Sequence, residues 1–126
     1  MINKVLRVLV ALPGILFVVM GLRWLVDPTG AAAALGMDLL DGIGRSSQIG
    51  DLAVFFLAVG MMILVAVITS QQRWFQVPAL MLLGAAIFRI LAWLLHDAAL
   101  AGQMIFVELV LACLLLFGAS RLSARE

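Results

Sequence analysis

Four long apolar runs, separated by short polar breaks, make up nearly the whole chain. They cover about residues 5–26, 48–69, 75–95 and 103–119. A helix needs about 20 apolar residues to cross a hydrocarbon core of about 30 Å, and each run approaches or exceeds that length. The pattern therefore predicts an all-α membrane protein: one domain, residues 1–126, folded as a bundle of four transmembrane helices.

The first run follows two basic residues, as the apolar region of a secretory signal peptide also would. Arg23 and Asp27 separate it from the alanines at 31–34 that would offer a cleavage site. Three further apolar runs follow, which a cleaved signal peptide does not explain. We therefore expect the first helix to be retained, with Pro13 disturbing its first half.

The connector between the first two runs carries the signals of a short helix. Asp27 suits the N-cap, Pro28 the first helical position, and Gly36 the end. This segment is too polar to span, so we expect a short helix at the membrane surface. It either simply caps the bundle or forms a gate over the polar residues inside it.

Basic residues are distributed unevenly between the two ends of such a bundle. The end that holds both termini would carry Lys4, Arg7, Arg73, Arg121 and Arg125. The opposite end would carry Arg45 and the aspartates Asp27, Asp38, Asp41 and Asp97. Basic flanks mark the cytoplasmic side of a membrane, which predicts cytoplasmic N- and C-termini.

Apart from Arg7 near the start of the first run, one charged residue interrupts each apolar run: Arg23, Asp51, Arg89 and Glu108. All four fall in the half of the bundle away from the termini, and a rise of 1.5 Å per residue puts Arg89 and Glu108 about 9 to 10 Å deep. Ionisable groups inside a membrane are expensive and mark either a function or a structural pair. Two positive and two negative side chains at similar depth are expected to neutralise one another.

Arg89 shares one face of the third helix with Ala85, Trp93 and His96, at helical spacing. This face suits a cleft with a guanidinium at its base, an aromatic wall and an imidazole at its mouth. Small or flexible residues, including Met104, surround Glu108 on the fourth helix. The predicted ligand-binding residues are Arg23, Asp51, Arg89, Trp93, His96 and Glu108.

The two helical hairpins resemble each other in their order of marker residues. The first has Pro13, Arg23, Trp24, Asp27, Gln48 and Asp51, and the second has Pro78, Arg89, Trp93, Asp97, Gln103 and Glu108. Such an order is expected of two duplicated hairpins related by a pseudo-two-fold axis along the membrane normal.

Several classes of function lack support in the composition and motifs. The chain is 66% hydrophobic with a net charge of +1 and no basic stripe, so we do not expect nucleic-acid binding. It has no phosphate-binding glycine loop, no cysteine pair and no paired histidines for haem. Only scattered acids accompany the single His96, so no metal site and no evident cofactor is predicted.

Short motifs resemble the DoxX-like group of small bacterial membrane proteins. They are the connector from Asp27 to Gly36, the segment from Arg45 to Asp51, Phe55 to Gly60, and Arg89 with Glu108. The resemblance implies a location in the bacterial inner membrane. Some members look like quinone-linked oxidoreductase subunits, which implies a quinone or another lipid-soluble ligand near the charged residues.

Three functions remain open at this point. In the first, the charged residues bind the polar head of a lipid or quinone-like molecule, with or without catalysis. In the second, they only fix the bundle of a structural or accessory subunit, which docks a membrane protein partner or a second copy of itself. In the third, Glu108 serves a small proton-coupled exporter.

Overall fold

The computed structural model describes residues 1–123, and these residues form five helices and no strand. The helices are α1 (Ile2–Val26), α2 (Pro28–Ala34), α3 (Gly42–Thr69), α4 (Gln72–Leu95) and α5 (Gly102–Leu122). Arg125, one of the basic residues assigned to the terminal side, lies outside the described residues.

All four long helices, α1, α3, α4 and α5, are long and apolar enough to cross a membrane. The chain is therefore a multi-pass membrane protein, and the predicted four-helix bundle is confirmed. Most helix ends agree with the apolar runs to within three residues, as for α4, which begins at 72 rather than 75. The exception is α3, which begins at Gly42, six residues before the expected 48.

The early start of α3 has a local cause in polar contacts with the preceding loop. The Gln48 side chain accepts a hydrogen bond from the Leu40 N–H (2.7 Å) and donates one to the Asp38 carbonyl (3.0 Å). Arg45 donates to the Leu40 carbonyl (2.8 Å) and pairs with Asp41 (3.1 Å). These contacts fold the loop back onto the first turns of α3 and stabilise residues 42–47 in a helical conformation.

The long helices form a closed ring in which α1 packs mainly along α3 and α4 along α5, with α3 against α4 and α1 against α5. Successive long helices run antiparallel. The start of α1, the α3–α4 turn and the end of α5 thus lie at one end of the bundle, here called the terminal end. The α1–α3 and α4–α5 connections lie at the other, the connector end. The duplication of the two hairpins stays a prediction.

Glycines bring the backbones of α1 and α3 into direct contact. A Cβ placed on Gly60 would lie 2.7 Å from both the Gly14 carbonyl oxygen and the Val18 nitrogen. A Cβ on Gly21 would lie 2.9 Å from the Leu57 nitrogen. Small residues allow this close approach between membrane helices, and the contacts fix how α1 and α3 are aligned.

The predicted short helix is α2, and its start is capped as the sequence indicates. Asp27 is the N-cap residue, and its Oδ1 accepts a hydrogen bond from the Gly30 N–H (3.1 Å). Pro28 occupies the first helical position, where its missing N–H leaves no hydrogen bond unmade. Ala31 and Ala32 are buried, so α2 contributes to the core beside α1.

The end of α2 is a Schellman motif built on Gly36. This glycine has a φ of 76°, and its N–H donates to the Ala33 carbonyl (3.0 Å). The Met37 N–H donates to the Ala32 carbonyl (2.9 Å). A left-handed residue at this position favours glycine, which confirms Gly36 as the helix terminator.

Packing at the terminal end leaves little space. Val10 and Phe75 are fully buried, and Gly118 lies against the Phe75 ring. Arg7 donates hydrogen bonds to the Val67 carbonyl and to the Ser70 hydroxyl (2.6 Å), which joins the start of α1 to the end of α3. The larger open volume of the bundle therefore lies toward the connector end.

Candidate functional site

An ion pair between Arg89 and Glu108 is the polar centre of the connector half. The Arg89 Nε donates to the Glu108 Oε1 at 2.9 Å. Arg89 lies six residues before the end of α4 and Glu108 six residues after the start of α5, so antiparallel packing brings them level. The exposed fractions of the two side chains are 33% and 11%, respectively.

The pair leaves much of its hydrogen-bonding capacity unused. Within residues 1–123, the Nε–Oε1 contact is the one hydrogen bond of either side chain. A guanidinium has five N–H donors and a carboxylate two acceptor oxygens. The Arg89 Nη1 and Nη2 and the Glu108 Oε2 therefore remain available to another molecule.

Both residues line a cavity of about 490 Å³. All five helices or their immediate ends contribute to its wall, which consists of Phe17, Met20, Ala34, Leu35, Leu52, Phe55, Phe56, Leu82, Ala85, Arg89, Gln103, Met104, Val107, Glu108 and Leu111. Small-molecule sites typically have volumes of about 300–1,000 Å³, mostly apolar walls and a few placed polar groups. The cavity has all three properties.

Three phenylalanines build the apolar wall on the α1 and α3 side. The rings of Phe17 and Phe56 stack with centroids 5.7 Å apart. Phe55 meets Phe56 edge to face at 5.4 Å. Such aromatic pairs hold one another in place, so this wall is defined by packing between α1 and α3 and does not depend on a ligand.

Arg89 and Glu108 are the charged residues of the described wall, and Gln103 is its remaining polar side chain. Because the two charges have opposite sign, the wall has no net charge. The arrangement offers guanidinium donors and a carboxylate acceptor side by side at the edge of an apolar space.

The prediction that all four charged residues form one mutually neutralising cluster is wrong. Arg23 pairs with Asp27 at 3.4 Å, and both side chains are about half exposed. Asp27 lies one helical turn after Arg23, so the local partner is reached without help from another helix. Asp51 is exposed, and it takes part in none of the ion pairs found within residues 1–123.

Asp51 lies on a different face of α3 from Leu52, Phe55 and Phe56, which line the cavity with Arg89. Gly60 lies against Gly14 and Val18, and Gly21 lies against Ala53 and Leu57. Continuing this antiparallel alignment places Asp51 near the level of the last turn of α1. The first turns of α3 therefore extend past the end of α1.

Trp93 and His96 share the α4 face with Arg89, but both are exposed and neither lines the cavity. They lie nearer the end of α4 than Arg89 does. Ala85, one turn in the opposite direction, does line it. Of the predicted α4 face, Ala85 and Arg89 line the cavity, whereas Trp93 and His96 do not form its mouth; at the connector end the wall is formed instead by Leu35, Gln103 and Met104.

Sequence reasoning missed the contributions of α1, α2 and α3, such as Phe17, Leu35 and Phe55. These residues are aromatic or apolar, and the same sequence pattern is expected for a cavity wall and for a filled core. It also missed the link from Arg7 to the end of α3, because basic residues near a helix start were interpreted only as a topology signal.

Within residues 1–123 no group of three or more histidine, cysteine or acidic side chains is arranged to hold a metal ion. Comparisons of the chain with protein-family models, with curated proteins and with solved structures give no match. The resemblance to the DoxX-like group therefore stays a prediction.

Proposed function

We propose that this membrane protein binds an amphipathic, lipid-soluble molecule, a lipid or a quinone-like compound, in the cavity of its connector half. The observation that carries the proposal is an apolar space of about 490 Å³ with one ion pair in its wall, Arg89 and Glu108. An apolar ligand body would fill the space, while its polar head would bind the unused donors and acceptor of the pair.

The two charged residues have different roles in this proposal. The Arg89 Nη atoms donate hydrogen bonds to an oxygen of the ligand head. Glu108 holds the guanidinium in position through its contact with Nε, and it is placed to exchange a proton with the head. Hydrogen bonds that involve a charged group are about twice as strong as neutral ones, so one ion pair is enough to orient a ligand.

The location that fits this function is the bacterial inner membrane, with both termini in the cytoplasm. Lys4, Arg7, Arg73 and Arg121 flank the terminal end of the bundle. In the loops at the connector end, Arg45 is the basic residue that opposes these four. The cavity then lies in the outer half of the membrane.

Native mass spectrometry of the purified protein tests the proposal. Wild type is compared with the Arg89→Gln/Glu108→Gln double variant, after gentle extraction from the membrane. The matched control is Asp41→Asn/Arg45→Gln, because this pair has a similar length of 3.1 Å but lies outside the cavity. A discrete small-molecule mass is expected on the wild type and the control and not on the cavity variant.

Bare protein in all three samples would argue against a bound ligand. It would favour the second candidate, a structural or accessory subunit. The observation behind that candidate is that the Arg89–Glu108 contact joins α4 to α5, as a structural clamp would. A second polypeptide or a second copy bound equally to all three samples would support it directly.

A further inference from the structure

The charge balance of the cavity restricts which ligand heads it accepts. The charges of Arg89 and Glu108 cancel, and the rest of the described wall is uncharged. A charged group taken into a low-dielectric space without a counter-charge loses several kcal/mol of solvation. An anionic head that reached the Arg89 guanidinium would also approach the Glu108 carboxylate, whose Oε1 lies 2.9 Å from Nε. The wall therefore opposes an anionic head.

The hydrogen-bond donors and the acceptor that Arg89 and Glu108 leave unused restrict the chemistry of the ligand head further. The Arg89 Nη atoms offer N–H donors, and Oε2 of the carboxylate that contacts Nε offers an acceptor. A carbonyl or ether oxygen uses the donors alone and leaves the carboxylate oxygen without a partner after water is displaced. A hydroxyl group accepts from Arg89 and donates to Glu108 at once. The amide of Gln103, in the same wall, offers one more uncharged donor and acceptor.

We infer that the cavity selects an uncharged, hydroxyl-bearing amphiphile, of the class of long-chain alcohols, monoacylglycerols or alkyl phenols. The hydroxyl lies between Arg89 and Glu108, and the apolar part lies along the phenylalanine wall of Phe17, Phe55 and Phe56. This inference rests on the proposed function, since it names the ligand class of the same cavity.

Three photoreactive probes with one shared chain test the head-group selection. Each has the same sixteen-carbon chain with a diazirine, and the heads are a primary alcohol, its methyl ether and a phosphate monoester. The protein is reconstituted into phosphatidylcholine nanodiscs with each probe at several mole fractions. Peptide mapping after irradiation separates labelling of Phe17, Phe55 and Met104 in the cavity from labelling of the exposed Phe106 and Phe117. Labelling of the exposed residues normalises for the probe content of the membrane.

Half-saturation of cavity labelling is expected at a mole fraction about tenfold lower for the alcohol than for the ether, because the ether loses a hydrogen bond to a charged group. The phosphate is expected to be at least as weak as the ether. Glu108→Gln leaves the Arg89 charge uncompensated, so in that variant the preference is expected to reverse toward the phosphate. Asp41→Asn removes an acid outside the cavity and should leave the order unchanged.

The outcomes separate the inference from the proposed function. Cavity labelling that is strongest with the phosphate, or equal for alcohol and ether, overturns the inference and leaves the cavity as a ligand site. Labelling of the cavity that never exceeds labelling of Phe106 and Phe117 for any probe overturns the proposed function itself. The wild-type comparison decides these points even if Glu108→Gln does not fold.

Discussion

The Arg89–Glu108 pair joins α4 to α5 and also lines the cavity, so replacing it tests both the stability of the bundle and the proposed binding. Removing the partner of a buried charge is far more damaging than removing both, because the remaining charge keeps its desolvation cost and loses its attraction. The pair is asymmetric in this respect: Glu108 is mostly buried, whereas Arg89 is a third exposed. Stability and ligand binding should therefore respond differently when one or both residues are replaced.

Single replacements Arg89→Met and Glu108→Leu should each destabilise the bundle, by about 1–3 kcal/mol. This is less than the cost of about 3–5 kcal/mol for fully buried pairs, because the Arg89 side chain is only partly buried within the bundle. The double replacement should recover most of the loss, since two apolar side chains suit the apolar wall. Unfolding in mixed detergent micelles, followed by circular dichroism, measures these differences.

The double replacement also separates the two candidate functions. A stable bundle that has lost its bound small molecule is expected if the pair binds a ligand. A stable bundle with unchanged cellular function would show that the pair is only a clamp between α4 and α5.

Arg7 is a second residue whose contacts reach another helix. Arg7→Ala should destabilise the bundle by about 1–3 kcal/mol, because the Val67 carbonyl and the Ser70 hydroxyl at the end of α3 lose a charged donor. Lys4→Ala is the control, since Lys4 is exposed and one turn away on the same helix. Equal effects of the two replacements on the unfolding transition would contradict the role assigned to Arg7.

Among the elements, α1 and α3 form the most closely packed pair. The backbone of one helix touches that of the other at Gly60, where no side chain lies between them. Helices in lipid associate through such packing, because lipid tails are as apolar as the helix surfaces. The cavity depends on this pair, since its aromatic wall is built from Phe17 on α1 and Phe55 and Phe56 on α3.

Gly60→Ala should therefore destabilise the bundle by about 1–3 kcal/mol, the usual cost of overpacking. Its new methyl group would meet backbone atoms of Gly14 and Val18, which cannot move independently of α1. Gly84→Ala is the matched control within a spanning helix, because a Cβ placed on Gly84 would have no neighbouring atom within 4 Å outside its own helix turn. That replacement should be neutral or stabilise by up to about 1 kcal/mol through helix propensity. Opposite signs in the two unfolding experiments are the expected result.

The elements themselves were largely predictable, because lipid imposes length and hydropathy on every spanning helix. Local capping signals at Asp27, Pro28 and Gly36 were enough to find α2. The early start of α3 was not predictable, since residues 42–47 are mainly glycine and polar residues, and their helix is supported by contacts of Arg45 and Gln48 with the preceding loop.

Within the site, only the two charged residues of the apolar runs could be predicted from the sequence. Arg89 and Glu108 stand out because a charge in an apolar run needs a partner. The choice of partner for Arg23 was missed, because Asp27 is a nearby local competitor that removes it from any cluster with Asp51. The cavity was missed because apolar periodicity shows which side chains face inward but not whether they fill the space they face.

At the scale of the whole molecule, the bundle is asymmetric along its axis. The terminal end is closely packed around Val10 and Phe75 and surrounded by basic residues. The connector end contains the cavity and all five aspartates. If basic flanks set the orientation, the cavity lies in the outer half of the membrane.

Cysteine labelling on intact spheroplasts of a bacterial host tests this orientation. In a Cys113→Ser background, single cysteines replace Asn3 and Gln72 at the terminal end, or Ser46 and Ala99 at the connector end, all of them exposed. None of the four substitutions alters a basic residue, so the topology signal stays intact. A membrane-impermeant maleimide should label positions 46 and 99 in intact spheroplasts, and positions 3 and 72 only after permeabilisation. The reverse pattern would turn the cavity toward the cytoplasmic leaflet while leaving the fold unchanged. Labelling that placed positions 3 and 99 on the same side would instead contradict the antiparallel order of the four spanning helices.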